Sequence, residues 1–281
     1  MARVPFHPVR IAAVGDLHIR TEIPDGLQEA LIALNGQVDL LVIAGDITDG
    51  GRIPEVELAA EMLSAVQVPM IGVLGNHDRR GLRRTMMRRT LEAAGLQVLD
   101  GDAVVPVLPD GRRIGIAGVS GTGGGFRLDE SEAVIGGRLR QAVAIKARRE
   151  AIRLKSALGS LREAGPDVSM VVTHFAPTLT TLGEEPVLKH WMLGNSFLGR
   201  IIDEESVDLV VHGHAHLGNR VGVTAGGTPV RNVALQVTGG IEILDVGPGQ
   251  QVRAIECISA PLSLRPVGAS RIRMMDMLRD D

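Results

Sequence analysis

A chain of 281 residues is long enough to bury a full hydrophobic core, and its single cysteine, Cys257, leaves no internal disulfide to staple the fold. Its 44% apolar and 22% charged content excludes a disordered or fibrous chain, and no run approaches the roughly 18 to 20 apolar residues of a membrane span. A formal net charge of −3 supplies no global attraction to nucleic acid, so no stable nucleic-acid complex is expected. The lone cysteine and the lack of a signal-like apolar segment in "MARVPFHPVRIAAVGDLH" fit a cytoplasmic protein.

The first third alternates short apolar runs with helical patterns. "VRIAAVGD" (9–16) reads as a strand, "GLQEALIALNG" (26–36) as a helix closed by Gly36, and "VDLLVIAGD" (38–46) as a buried strand. "PEVELAAEMLSAV" (54–66) gives a helix with Pro54 in its first turn, followed by the strand "PMIGVLGN" (69–76). That order predicts a parallel sheet with right-handed crossovers. A helix is expected near 81–94, then short strands near 97–99, 103–108 and 112–119 that look like hairpin or meander elements, with "PDG" (109–111) as the turn.

"SGTGGGF" (120–126) lacks the Lys-Ser/Thr ending of a phosphate-binding loop and reads as a flexible rim, leading to a long helix that ends near 164–167. Strands follow at 168–175 and 207–214, a helix near 195–205, and strands near 229–237, 240–246 and 251–258. Two basic runs, "RRGLRRTMMRR" (79–89) and "RLRQAVAIKARREAIRLK" (138–155), read as solvated helix faces, with an anion-collecting rim as the lesser alternative. One domain is expected over 1–262. In the tail 263–281, the three-residue spacing of Ile272, Met275 and Leu278 suits a short helix docked on the domain or at an oligomer interface.

Polar residues stand where each strong strand ends: Asp16 and His18, Asp46 and Asp49, Asn76 to Asp78, His174, then His214 and His216. Functional groups collect at the carboxyl ends of parallel strands, so these should meet in one crevice. Any one of them alone would be a turn former or a solvated side chain; five such endings point to a site. Carboxylate, amide and imidazole without thiolate suit Mn, Fe, Zn or Mg better than a cysteine-rich structural zinc site.

"DLH" (16–18), "GDITD" (45–49), "GNHD" (75–78), His174 and "GHAH" (213–216) stand in the order of a known signature, and the chain resembles the calcineurin-like metallophosphoesterase superfamily. The resemblance implies an α/β fold, a four-layer αββα sandwich of two mixed sheets flanked by helices, with a dinuclear metal site at the carboxyl ends of the strands. It implies two divalent or mixed-valence ions, Mn, Fe or Zn. Asp16, His18 and His216 would bind one; Asn76, His174 and His214 the other, with Asp46 bridging. It further implies a metal-bridging hydroxide as nucleophile, His77 as general acid and Asp49 orienting its ring, while Asp78 holds the loop. His212 has no ligand position in the pattern and reads as a core or supporting histidine.

The absence of an arginine after Asp49 disfavours a protein phosphatase, and His77 stands where lipid A pathway hydrolases usually carry arginine. About 65 residues after "GHAH" leave little room for the capping domain of break-repair nucleases. What remains resembles the compact bacterial phosphodiesterases, with nucleotides or other small phosphodiesters as expected substrates. A phosphomonoesterase is the alternative; a non-catalytic scaffold is disfavoured because every motif residue is kept. The segment 178–199 is expected to carry specificity, with Trp191 and His190 as candidate substrate-binding residues; the alternative is that Trp191 covers core and His190 is solvated.

Overall fold

Strand β1 (Val9–Val14) already shows why the molecule is layered. Its Ile11 and Ala13 are buried among residues of a second sheet, while Ala12 and Val14 are buried under helices. A strand covered on both faces needs this continuous apolar run, and the two-residue period sorts its side chains between the two cores. Strand β2 (Leu40–Ala44) divides the same way, with Leu40, Val42 and Ala44 inward and Leu41 and Ile43 outward.

The computed structural model describes residues 7–81, 84–126 and 137–259. After β2 come β3 (Met70–Val73), β4 (Leu96–Leu99), β5 (Asp102–Val104), β6 (Ile114–Val119), β7 (Val168–Thr173), β8 (Leu209–His212), β9 (Val221–Val223), β10 (Pro229–Asn232), β11 (Gly240–Gly247) and β12 (Gln251–Ser259). Among the described residues these form two six-stranded mixed sheets, ordered β12-β11-β1-β2-β3-β4 and β5-β6-β7-β8-β10-β9. β1 to β4 are parallel in the first sheet and β6, β7, β8 and β10 in the second; the remaining strands join antiparallel.

Helices α1 (Leu27–Ala33), α2 (Ile53–Ser64) and α3 (Arg84–Ala93) cover the first sheet. α4 (Gly137–Ala164) and α6 (Ser196–Glu205) cover the second, with the single turns α5 (His190–Leu193) and α7 (Leu235–Thr238) in connections. The result is the expected four-layer αββα sandwich. None of the described helices is long and apolar enough to cross a membrane.

Several local expectations are corrected. The 97–99 strand does not share a sheet with its followers: β4 pairs with β3, whereas β5 and β6 form the hairpin edge of the other sheet. "SGTGGGF" is no rim. Ser120 and Thr122 are buried, and the Ser120 carbonyl accepts from the backbone N–H of His174 (2.9 Å) and Phe175 (3.1 Å). Segment 178–199 is not one loop but holds short helical turns and α5; its Asn195 caps α6, Oδ1 accepting from Phe197 N at 3.0 Å and Leu198 N at 3.2 Å. β9 carries too short a pattern to be read from sequence, and the 229–237 run breaks into β10 and α7. The basic runs are laced with ion pairs such as Arg79–Asp100 (3.1 Å) and Arg88–Glu92 (2.8 Å). The tail 263–281 lies outside the described residues.

Candidate metal centre

The strand ends leave extended geometry abruptly. Among the described residues, six that are not glycine have positive φ, and four of them are Asp16 (59°), His18 (47°), Asp46 (49°) and His214 (67°). Such backbone costs on the order of 1–3 kcal/mol per residue and persists where surrounding structure enforces it. Here the strain turns each side chain from its strand axis toward the space where the two sheets' parallel ends meet.

Three groups result, each with potential ligand atoms within 4.8 Å of one another: Asp16, His18 and His216; Asp46, His174 and His214; and His18, Asp49 and His77. His216 Nε2 lies 2.8 Å from Asp16 Oδ1, and His18 Nε2 3.7 Å from the same oxygen. His174 Nε2 lies 2.9 Å from Asn76 Oδ1 and 3.3 Å from Asp46 Oδ2. Oδ2 of Asp46 also faces His18 Nε2 at 3.8 Å and His77 Nε2 at 3.9 Å, so one oxygen looks into all three groups.

Close backbone approach makes this convergence possible. A Cβ on Gly75 would fall 2.0 Å from Asp46 Oδ1, and one on Gly213 2.1 Å from Asp16 Oδ2, which explains the glycines of "GNHD" and "GHAH". Asp78 staples the same loops: its carboxylate accepts from Thr48 N (2.8 Å), Thr48 Oγ1 (2.8 Å), Gly75 N (2.9 Å) and Ile47 N (3.2 Å). Burial and the charge of Asp46 push its carboxyl up to about 6, with the Thr48 and Gly75 donors pulling the other way.

The electrostatics are those of anions and rings forced together. Burial raises the Asp16 and Asp46 carboxyls, yet His216 beside the first and His174 beside the second outweigh it and hold both below the usual carboxylate range. Burial likewise opposes charge on His18 and His174, but Asp16 and Asp49 raise His18 to about 10 and Asp46 raises His174 to about 9. Burial, reinforced by His174, drives His214 down to about 3.

A divalent cation fits this donor set on direct grounds. His174 Nδ1 donates to the Ala44 carbonyl at 2.9 Å, so Nε2 is left facing two oxygen acceptors. Both ring nitrogens of His18 are buried and complete no hydrogen bond, although Asp49 Oδ1 lies only 3.3 Å from Nδ1. Only a proton on each ring or a cation between the groups reconciles such contacts. The Ala44 carbonyl and the Met192 carbonyl, 3.2 Å from His214 Nε2, fix the ring orientations in the way that supports metal-binding histidines.

A family model described as calcineurin-like phosphoesterase matches residues 9–218, which contain all of these groups. The chain belongs to the calcineurin-like phosphoesterase family. Over 80 residues it is 30% identical to the glycerophosphodiester phosphodiesterase GpdQ of Enterobacter lignolyticus, a match covering 24% of this chain and only 29% of that protein. The phosphopantetheinyl hydrolase PptH of Mycobacterium tuberculosis superposes with a TM-score of 0.58 at 15% identity, over 89% of this chain and 96% of that one. The calcineurin-like phosphoesterase YfkN of Bacillus subtilis gives 0.54 at 13% identity, over 92% and 93%. At those identities the likeness is one of fold. The chain spans less than a third of the length of the curated relative it matches.

Within this phosphoesterase, the structure gathers Asp16, His18, Asp46, Asp49, Asn76, His77, His174, His214 and His216 in one place. The His77 ring is held differently from the expectation. Its Nδ1 is 2.7 Å from the Asp49 backbone carbonyl and 3.0 Å from Arg80 Nη1, whereas the Asp49 carboxylate stands 3.7 Å away and lies nearer His18 and Arg20. Burial lowers the His77 pKa. Trp191 is 1% exposed and packs against Val143, the covering role weighed above; His190 is half-buried with Nε2 3.2 Å from the Glu185 carbonyl, and neither joins the three groups. His212 is fully buried between the Gly213 carbonyl (2.7 Å) and Thr181 Oγ1 (2.8 Å), outside the groups. Sequence reasoning missed Arg20 and Arg80; for Arg20 the signal was its place two residues beyond His18 in "DLHIR".

Proposed function

We propose that the chain is a two-metal phosphodiesterase acting on nucleotides or other small phosphodiesters. The observation that carries this reading is the convergence of three ring nitrogens, Nε2 of His18, His77 and His174, on the single oxygen Asp46 Oδ2. In this reading Asp16, His18 and His216 would hold one ion and Asn76, His174 and His214 the other, with Asp46 a ligand available to both. Mn, Fe and Zn suit the donors. Two such ions supply Lewis acidity toward the phosphoryl oxygens and a nucleophile drawn from water near neutral pH.

The protein's own part is alignment and proton delivery. His77 Nε2, on the Asp46 side of its ring, gives its proton to the departing alkoxide while the Asp49 carbonyl keeps Nδ1–H and fixes the ring. On the opposite flank the Phe175 ring stands 4.2 Å from that of His214. Preference for a diester draws on GpdQ, whose name denotes a glycerophosphodiester substrate. The lone Cys257 supports a reducing, cytoplasmic setting.

Hydrolysis of bis(p-nitrophenyl) phosphate and p-nitrophenyl phosphate by Mn²⁺-loaded protein tests the reading. Faster turnover of the diester is expected. Activity on the monoester alone would make the protein a phosphomonoesterase, and turnover of neither with two ions bound would remove catalysis from the account.

A further inference from the structure

Residues 18–20 run alongside 46–49 as a short parallel extension above the first sheet. His18 N donates to the Asp46 carbonyl at 3.0 Å, Ile19 N to that of Ile47 at 2.9 Å, and Asp49 N to that of Ile19 at 3.0 Å. His18 and Arg20 share a partner on this extension, the carboxylate of Asp49. Ile19 is buried in the core under the helices, and His18 and Arg20 lie together on the side of the site.

Arg20 is held there by a two-pronged ion pair, Nε 3.1 Å from Asp49 Oδ2 and Nη2 3.3 Å from Oδ1. The same Asp49 oxygen, Oδ1, lies 3.3 Å from His18 Nδ1 and 3.7 Å from His77 Nδ1. One carboxylate therefore separates the guanidinium from both a candidate ligand and the candidate acid. The Arg20 side chain is 54% exposed, and Nη1 is the edge of its fork that Asp49 does not engage. Exposed ion pairs contribute only about 0–1 kcal/mol to stability, so the fold gives little reason to fix an arginine at this rim.

The two flanks of the centre differ. On the His77 side stand Arg80, with Nη1 3.0 Å from His77 Nδ1, and, across the Asp49 carboxylate, Arg20. Beside His214 stand the Phe175 ring and the Met192 carbonyl. A guanidinium presents a planar fork suited to carboxylate or phosphate oxygens.

We propose that Arg20 is a specificity-determining residue that contacts an anionic substituent, a carboxylate or second phosphate, on the leaving group of the substrate. The proposal rests on the function above only for the side on which the leaving group departs. It favours diesters whose released alcohol is itself an anion over those that release a neutral one.

Binding of phenylphosphonate and 3-carboxyphenylphosphonate to the Mn²⁺-loaded 281-residue chain, followed by calorimetry, tests this without turnover. The unsubstituted protein is expected to prefer the carboxylated ligand about tenfold or more. Arg20→Gln should bring the affinity ratio close to one, and Arg20→Lys should retain part of the preference. A ratio near one in the unsubstituted protein, or the same ratio in Arg20→Gln, overturns the proposal. Equal weakening of both ligands in Arg20→Gln also overturns it, because Arg20 would then act through Asp49 and His18. Binding of neither ligand would defeat this proposal and the phosphoester site together, whereas selective binding without hydrolysis of any diester would defeat only catalysis.

Discussion

The backbone N–H of His214 donates to Oδ2 of Asp16 at 2.8 Å, linking residues 198 apart in sequence. The N–H of His77 makes the equivalent bond to Asp46 Oδ1, also at 2.8 Å. Each central carboxylate thus spends one oxygen on the loop of another strand and turns the second toward the histidines.

Gly213→Ala and Gly75→Ala should break this arrangement from behind, because the added Cβ would displace a carboxylate oxygen. Each is expected to cost on the order of 1–3 kcal/mol in stability and to lower bound metal below two equivalents. Denaturant titration and elemental analysis would check this; full metal content in both variants would contradict the packing argument.

His77→Ala should reduce turnover about 10²–10⁴-fold while metal content stays at the level of the unsubstituted protein. The loss should be smallest for p-nitrophenolate and largest for a simple alkoxide, since only the poor leaving group needs a proton. A loss independent of the leaving group, measured across an aryl and alkyl phosphodiester series, would deny His77 the acid role.

Asp49→Asn separates carbonyl from carboxylate. The His77 ring rests on the Asp49 backbone carbonyl, and the side chain faces His18 and Arg20. The substitution is expected to weaken metal retention while leaving the dependence on leaving-group pKa as in the unsubstituted protein. A steeper dependence, like that of His77→Ala, would show that the carboxylate orients the acid.

Removing metal should make stability sensitive to alkaline pH. His18 and His174, raised to about 10 and about 9 in the folded metal-free state, would titrate near 6.5 when unfolded. Their contribution is fully present below about 6.5 and is lost as pH climbs through 9 to 10. Melting temperatures of chelator-treated protein should therefore fall across that window, and Mn²⁺-loaded protein should fall less because cations replace the protons. Parallel curves would count against the candidate ligands.

His212→Ala should keep both metal equivalents, because its ring is committed to Thr181 and the Gly213 carbonyl. It should nonetheless cost on the order of 1–3 kcal/mol, since the Thr181 hydroxyl loses its buried partner. Loss of one metal equivalent would make His212 a ligand.

The strand-end motifs were legible because parallel strands deliver polar residues to one edge, and the buried runs of β1, β2 and β7 permit little else. The four-layer arrangement itself followed from the resemblance, since no periodicity tells which of two sheets a short strand joins. That is why β4 and β5, separated by two residues, could be read as neighbours. Burial of 120–126 was hidden for a related reason: its glycines signal flexibility in isolation, but here Gly121 and Gly124 let the chain pass close against Phe175 and Asn195. The Asp49 contact was invisible because a motif names side chains, whereas the ring is held by a backbone carbonyl.

Each candidate ion would be gripped from two layers at once: Asp16 and His18 with His216, and Asp46 and Asn76 with His174 and His214. A cation seated there acts as a rivet through the sandwich. Metal loading should therefore tie the two sheets together at this end and slow hydrogen exchange of the carboxyl-end amides of β1 and β8 relative to chelator-treated protein.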